Sequence, residues 1–128
     1  MDFKYVIYLL LLIIIGGSVY KRLSPAKNLR TLTEVQLLQK LKQAGKFLLI
    51  DVREAHEFRS GHISGAVNIP LSMVHQRLKD IPKDKKLILY CQSGMRSKQF
   101  AKVLQKKNYK DIYHLSGGIS SWSGKVKK

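Results

Sequence analysis

The chain switches repeatedly between two hydrophobic periods, and this limits its fold more than any other feature. Residues 46–52 (KFLLIDV), 85–91 (KKLILYC) and 111–115 (DIYHL) are short, nearly unbroken apolar runs, and AVNIP at 66–70 is a fourth, stopped by Pro70. Runs this short, apolar on both alternating faces, suit strands covered on both sides. Between them lie helical patterns. LTEVQLLQKLKQAG (32–45) sets Leu32, Val35, Leu38 and Leu41 at helical spacing, with Thr33 as N-cap and Gly45 as C-cap. REAHEFRSGHI (53–63) reads as a short helix ended by Gly61, LSMVHQRLKDIP (71–82) as another helix, and SKQFAKVLQKKNY (97–109) as a third, with Phe100, Ala101, Val103 and Leu104 inward. SGGISSW reads as a closing turn and short helix. Such alternation predicts an α/β fold, a parallel sheet flanked by helices on both faces, whose ligands bind at the carboxyl ends of strands.

The N-terminal segment obeys a different rule. Counting from Phe3 to Tyr20 gives 18 residues in which Lys4 is the one charge. At about 1.5 Å per residue they reach roughly across a bilayer core. Tyr5, Tyr8 and Tyr20 lie near the ends, and Lys21 and Arg22 follow at once, as in a retained anchor and unlike a cleaved signal peptide. Lys21, Arg22, Lys27 and Arg30 outweigh Lys4, so the positive-inside rule predicts a single-pass protein of the cell membrane with its C-terminal domain cytoplasmic. The expected divisions are an anchor at 3–20, a linker at 21–28, a domain at 29–124 and a basic tail at 125–128.

The excess charge fits that placement. Lys and Arg number 24 against 8 Asp and Glu, a net +16. Such a balance suits an anionic lipid surface or small anions. The basic residues are scattered, with no aromatic-interleaved basic motif, so no nucleic-acid partner is expected.

One cysteine excludes an internal disulfide and a cysteine-rich zinc site, and leaves either an inert core thiol or a reagent. Cys91 closes an apolar run and opens Gln92-Ser93-Gly94-Met95-Arg96. A segment curling from strand to helix turns successive N–H groups inward as an anion-binding nest, and the helix N-terminus adds positive potential. Gly94 permits a tight bend, and Arg96 brings a planar cation matched to oxyanions. All of these favour a thiolate, so Cys91 is expected to be the nucleophile. His56, His75 and His114 show no ligand spacing, and no metal is expected.

Three blocks, DVREAHEFRSGHISGAVNIP (51–70), YCQSGMRS (90–97) and LSGGISSW (115–122), together resemble the single-domain rhodanese family of thiosulfate sulfurtransferase-like proteins. With its apolar head, the chain resembles the membrane-anchored bacterial type. The resemblance implies a five-stranded parallel sheet flanked by helices. It implies a persulfide-forming Cys91 in a C-x-x-G-x-R loop, with Gln92, Ser93, Gly94, Met95 and Arg96 holding substrate, and Asp51 and Arg53 in the polar rim. It casts Glu57, His62 and Asn68 as structural, and Gly117, Gly118 and Trp122 as turn and packing residues. The implied reaction moves a sulfane sulfur from thiosulfate or a persulfide to cyanide, a small thiol or a protein thiol, with no cofactor.

Two other readings compete. The alternative non-enzymatic module, a tethered persulfide carrier or docking domain, is disfavoured by the intact cysteine loop. Cysteine-dependent phosphatases and arsenate reductases carry five residues between Cys and Arg. Here there are four.

Overall fold

The computed structural model describes residues 2–23, 26 and 28–128, with the side chains of Arg22 and Leu23 excepted. Ser24, Pro25 and Lys27 of the expected linker lie outside the described residues. The apolar head forms helix α1 (Phe3–Leu23), exposed from Phe3 to Lys21; at about 1.5 Å per residue it is roughly 31 Å long.

Among the described residues seven strands follow: β1 (Arg30–Leu32), β2 (Phe47–Asp51), β3 (His62–Ile63), β4 (Val67–Asn68), β5 (Lys86–Tyr90), β6 (Ile112–Leu115) and β7 (Val126–Lys127). The main sheet has five strands in the order β1-β6-β5-β2-β4, all parallel. Helices α2 (Glu34–Leu41), α3 (Ala55–Ser60) and α4 (Met95–Lys106) connect them. The expected α/β architecture is the one observed.

The unbroken apolar strands feed two separate cores, as the strand period of two requires. From β5, Leu87, Leu89 and Cys91 join Ile50 and Ile112 against Phe100, Ala101 and Leu104 of α4. Ile88 and Tyr90 point the other way and meet Leu37 of α2, Leu49, Tyr113 and Leu115. The central strand is therefore sealed on both sides, and packing on both faces fixes its position.

Two expectations need correction, and two elements are additional to them. Helix α2 starts at Glu34 with Thr33 as its cap, the Thr33 hydroxyl accepting from the Gln36 N–H and the Gln36 side chain accepting in return. Leu32, however, belongs to β1, and counting from it puts the apolar face out of phase. Leu37 is the buried residue, while Val35 and Leu38 are exposed. The helix stops at Leu41, short of Gly45. Residues 71–82 form two 3₁₀ turns, Leu71–Met73 and Leu78–Asp80, instead of one helix. Leu71, Val74, Leu78 and Ile81 do pack inward at the expected spacing, but an apolar period specifies a face and does not choose between i→i+3 and i→i+4 bonding. Strand β1, the fifth of the sheet, has no apolar run to announce it and pairs with β6 at the edge. Part of the basic tail is also structured: β7 pairs antiparallel with β3, matching His62 to Lys127 and Ile63 to Val126.

Candidate active site

Strand β5 delivers Cys91 to the carboxyl edge of the sheet, where the chain turns sharply into α4. The connection is shorter than expected. Met95 and Arg96 already form the first turn of the helix, leaving Cys91–Gly94 to make the bend. Gly94 takes φ +112°, a region that side-chain-bearing residues avoid, and this aims its N–H at Cys91 Sγ, 2.9 Å away. Cys91 is buried, 1% exposed.

A second turn buttresses the bend from behind. Gly117 caps a 3₁₀ turn, Gly118–Ser121, whose Ile119 and Ser120 N–H groups donate to the carbonyls of Cys91 and Gln92 at 2.9 and 3.1 Å. Gly118 makes this fit. Its φ is +63°, and a Cβ there would lie 2.4 Å from the Cys91 carbonyl oxygen. Trp122 packs on the α2-side core, as expected for that residue.

Both site arginines are paired with carboxylates. Arg53 is 4% exposed and Asp51 fully buried. The Arg53 guanidinium donates to Asp51 at 2.8 and 3.1 Å and to the Gly61 carbonyl at 2.7 Å. Burial works to lower the Arg53 pKa, but the hydrogen bonds and charge of Asp51 prevail and the net direction is up. Asp51 is thus beneath the site rather than at its rim. It acts on the loop through Arg53, whose Nη1 reaches Gln92 Oε1 at 3.4 Å. Asn68 locks this corner by donating to the carbonyls of Asp51 and Arg53. His62 stacks on Phe58 and donates to its carbonyl, a structural role.

Arg96 is held from α3. Its Nη1 and Nη2 donate to the two carboxylate oxygens of Glu57 at 2.6 and 3.0 Å, a bidentate pair. The Arg96 hydrogen bonds hold the Glu57 carboxyl at about 2, and the same contact raises the Arg96 pKa. Glu57, read from sequence as a structural residue, therefore touches the loop arginine directly. Gln92, Ser93 and Met95 are exposed around the mouth, Met95 by 66%.

Two further residues escaped the sequence reading. Ser97 is buried in the first turn of α4, donates to the Gly94 carbonyl at 2.9 Å, and lies 3.8 Å from Cys91 Sγ. His114 on β6 is 4% exposed and places Nδ1 3.3 Å from Ser97 Oγ. The signal for His114 lies in strand order rather than ligand spacing. Its register partner is Leu89, two residues before Cys91 and on the same face.

With this geometry, comparison with known proteins is direct. The model of the rhodanese-like domain matches residues 34–125. The chain belongs to the rhodanese family. It is 43% identical over 113 residues to the uncharacterised protein YqhL of Bacillus subtilis, covering 88% of this chain and 84% of that one. It is 36% identical over 87 residues to a sulfurtransferase of Allochromatium vinosum, covering 68% and 81%. Among solved structures, the rhodanese-related protein of Thermoplasma volcanium superposes with a TM-score of 0.66 at 29% identity, covering 77% of this chain and 97% of that one. These likenesses support a role in sulfur transfer for the rhodanese domain.

Proposed function

We propose that the protein is a membrane-tethered sulfurtransferase that carries sulfane sulfur on Cys91. The observation that carries this reading is the Cys91 sulfur at the end of β5 with the Gly94 N–H aimed at it, inside a C-x-x-G-x-R bend. The Cys91 thiolate attacks the outer sulfur of a donor such as thiosulfate or a persulfide. Sulfite or a thiolate departs with the electron pair of the broken S–S bond, and Cys91 becomes a persulfide. An acceptor nucleophile, cyanide, a small thiol or a protein thiol, then attacks the outer sulfur and returns the Cys91 thiolate. The deep position of Cys91 admits a slender sulfur atom better than a tetrahedral phosphoryl group. The four residues between Cys91 and Arg96, one fewer than in the cysteine-dependent phosphatases, disfavour phosphatase chemistry.

Incubation with thiosulfate or a small persulfide should add one sulfur to the Cys91 peptide by mass spectrometry, released by excess thiol. Cys91→Ser should neither gain the sulfur nor transfer it. Absence of the adduct in the parent with every donor, or full transfer by Cys91→Ser, refutes the assignment.

Helix α1 supports the tether, being long and apolar enough to cross a membrane. In this reading it is a single-pass anchor with the rhodanese domain on the cytoplasmic side, and the basic excess favours lipid headgroups over nucleic acid. Detergent should be required for extraction, and protease added to intact cells should spare the domain. A mature chain beginning near Val19 would show instead that the head is cleaved.

A further inference from the structure

Cys91 is buried, and ionising its thiol requires somewhere for the proton to go. A continuous line of polar atoms runs from it across the sheet. The Cys91 thiol faces Ser97 Oγ at 3.8 Å, Ser97 Oγ faces His114 Nδ1 at 3.3 Å, and His114 Nε2 faces Thr31 Oγ1 at 3.1 Å. Cys91, Ser97 and His114 are buried, whereas Thr31 lies exposed on the edge strand β1. The alignment follows from strand register, which pairs Leu89 with His114 and His114 with Thr31.

We propose that His114 is the proton acceptor for Cys91, acting through Ser97 and opening to solvent at Thr31; this rests on Cys91 being the sulfur-transfer nucleophile. The Ser97 hydroxyl, which rests on the Gly94 carbonyl, turns its proton to His114 Nδ1; that proton then passes to Nδ1 as the thiol proton moves to Ser97 Oγ. The thiolate keeps the S–H electron pair, and the imidazolium Nε2–H sheds its proton past Thr31. Proton count and charge balance, and no oxidant is needed. Return of a proton along the same line regenerates the thiol after the acceptor has left.

Burial, and then the positive charge of Lys98 on α4, lower the His114 pKa, so the resting ring is neutral and a proton taken up at Nδ1 is not retained but passed on from Nε2 toward Thr31. On the cysteine side the charged groups are Arg96, paired with Glu57, and Arg53, paired with Asp51. His114 is a positioning residue by contact, since it reaches the sulfur only through Ser97.

The test is the pH profile of Cys91 alkylation by iodoacetamide in the full chain, independent of any sulfur donor. His114→Gln and Ser97→Ala should each move the acid limb upward by roughly one pH unit, about ten-fold slower alkylation at pH 6. The double variant should add little, because both act on one line. Thr31→Val should give a smaller shift, about two- to three-fold. Profiles superimposable on the parent in folded Ser97→Ala and Thr31→Val overturn the proposal, even where His114→Gln fails to fold. So do shifts that add in the double variant. A parent cysteine inert at every pH refutes the nucleophile assignment itself, and the relay falls with it.

Discussion

Glu57→Gln separates the two duties of the Glu57–Arg96 pair, stability and charge control, because glutamine keeps the shape and one acceptor while losing the charge. The Glu57 carboxyl is depressed from 4.5 to about 2, chiefly by the Arg96 hydrogen bonds. At about 1.4 kcal/mol per pH unit this caps its stabilisation at about 3.5 kcal/mol. The two side chains are 25% and 32% exposed, so solvent screening brings the expected loss to about 1–2 kcal/mol. For a domain of this size that lowers the melting temperature by roughly 4–8 °C per kcal/mol. The sign with pH is fixed. A depressed carboxyl stabilises fully above 4.5 and loses that contribution as pH falls toward 2. Thermal melts followed by circular dichroism should therefore show a constant gap between parent and variant from pH 7 to 5, closing below 4.5. An equal melting temperature at pH 7, or a gap that persists unchanged at pH 3, refutes the reasoning. Freed of its carboxylate, Arg96 should also lower the KM for dianionic thiosulfate.

Arg96→Ala, which removes the cation from the loop, should reduce kcat/KM for thiosulfate on the order of ten-fold, and unchanged kcat and KM would remove Arg96 from donor recognition. Gly118→Ala places a methyl against the Cys91 and Gln92 carbonyls at positive φ; it should cost at least about 1–2 kcal/mol and, by displacing the nucleophile, cut turnover on the order of 100-fold. Chemical denaturation and steady-state rates check both numbers, and parental activity would show that the buttress yields freely. Leu104→Ala, in the fully buried face of α4, should destabilise by about 2–5 kcal/mol while leaving the KM of the surviving folded fraction unchanged.

The sheet was legible because its central strands carry their own evidence: LLIDV and LILYC are too apolar and too short to be anything but strands buried on both faces. The bend was legible because Gly94, Cys91 and Arg96 differ chemically from their neighbours. Strand β1 was not, since two of its three residues are exposed and it exists only by pairing with β6. The same limit hid Glu57 and His114. Each meets its partner through tertiary placement, Glu57 across the gap between α3 and α4 and His114 across neighbouring strands, and neither spacing along the chain nor residue type announces those meetings.

The hydrogen bonds from Ile119 and Ser120 to the carbonyls of Cys91 and Gln92 make those two amides built-in reporters of the bend. Ser120 is exposed, so slow exchange of its amide proton for deuterium reports that bond rather than general burial. Exchange at Ile119 and Ser120 would thus register whether loading Cys91 with a second sulfur loosens or tightens the bend, with no label near the thiol.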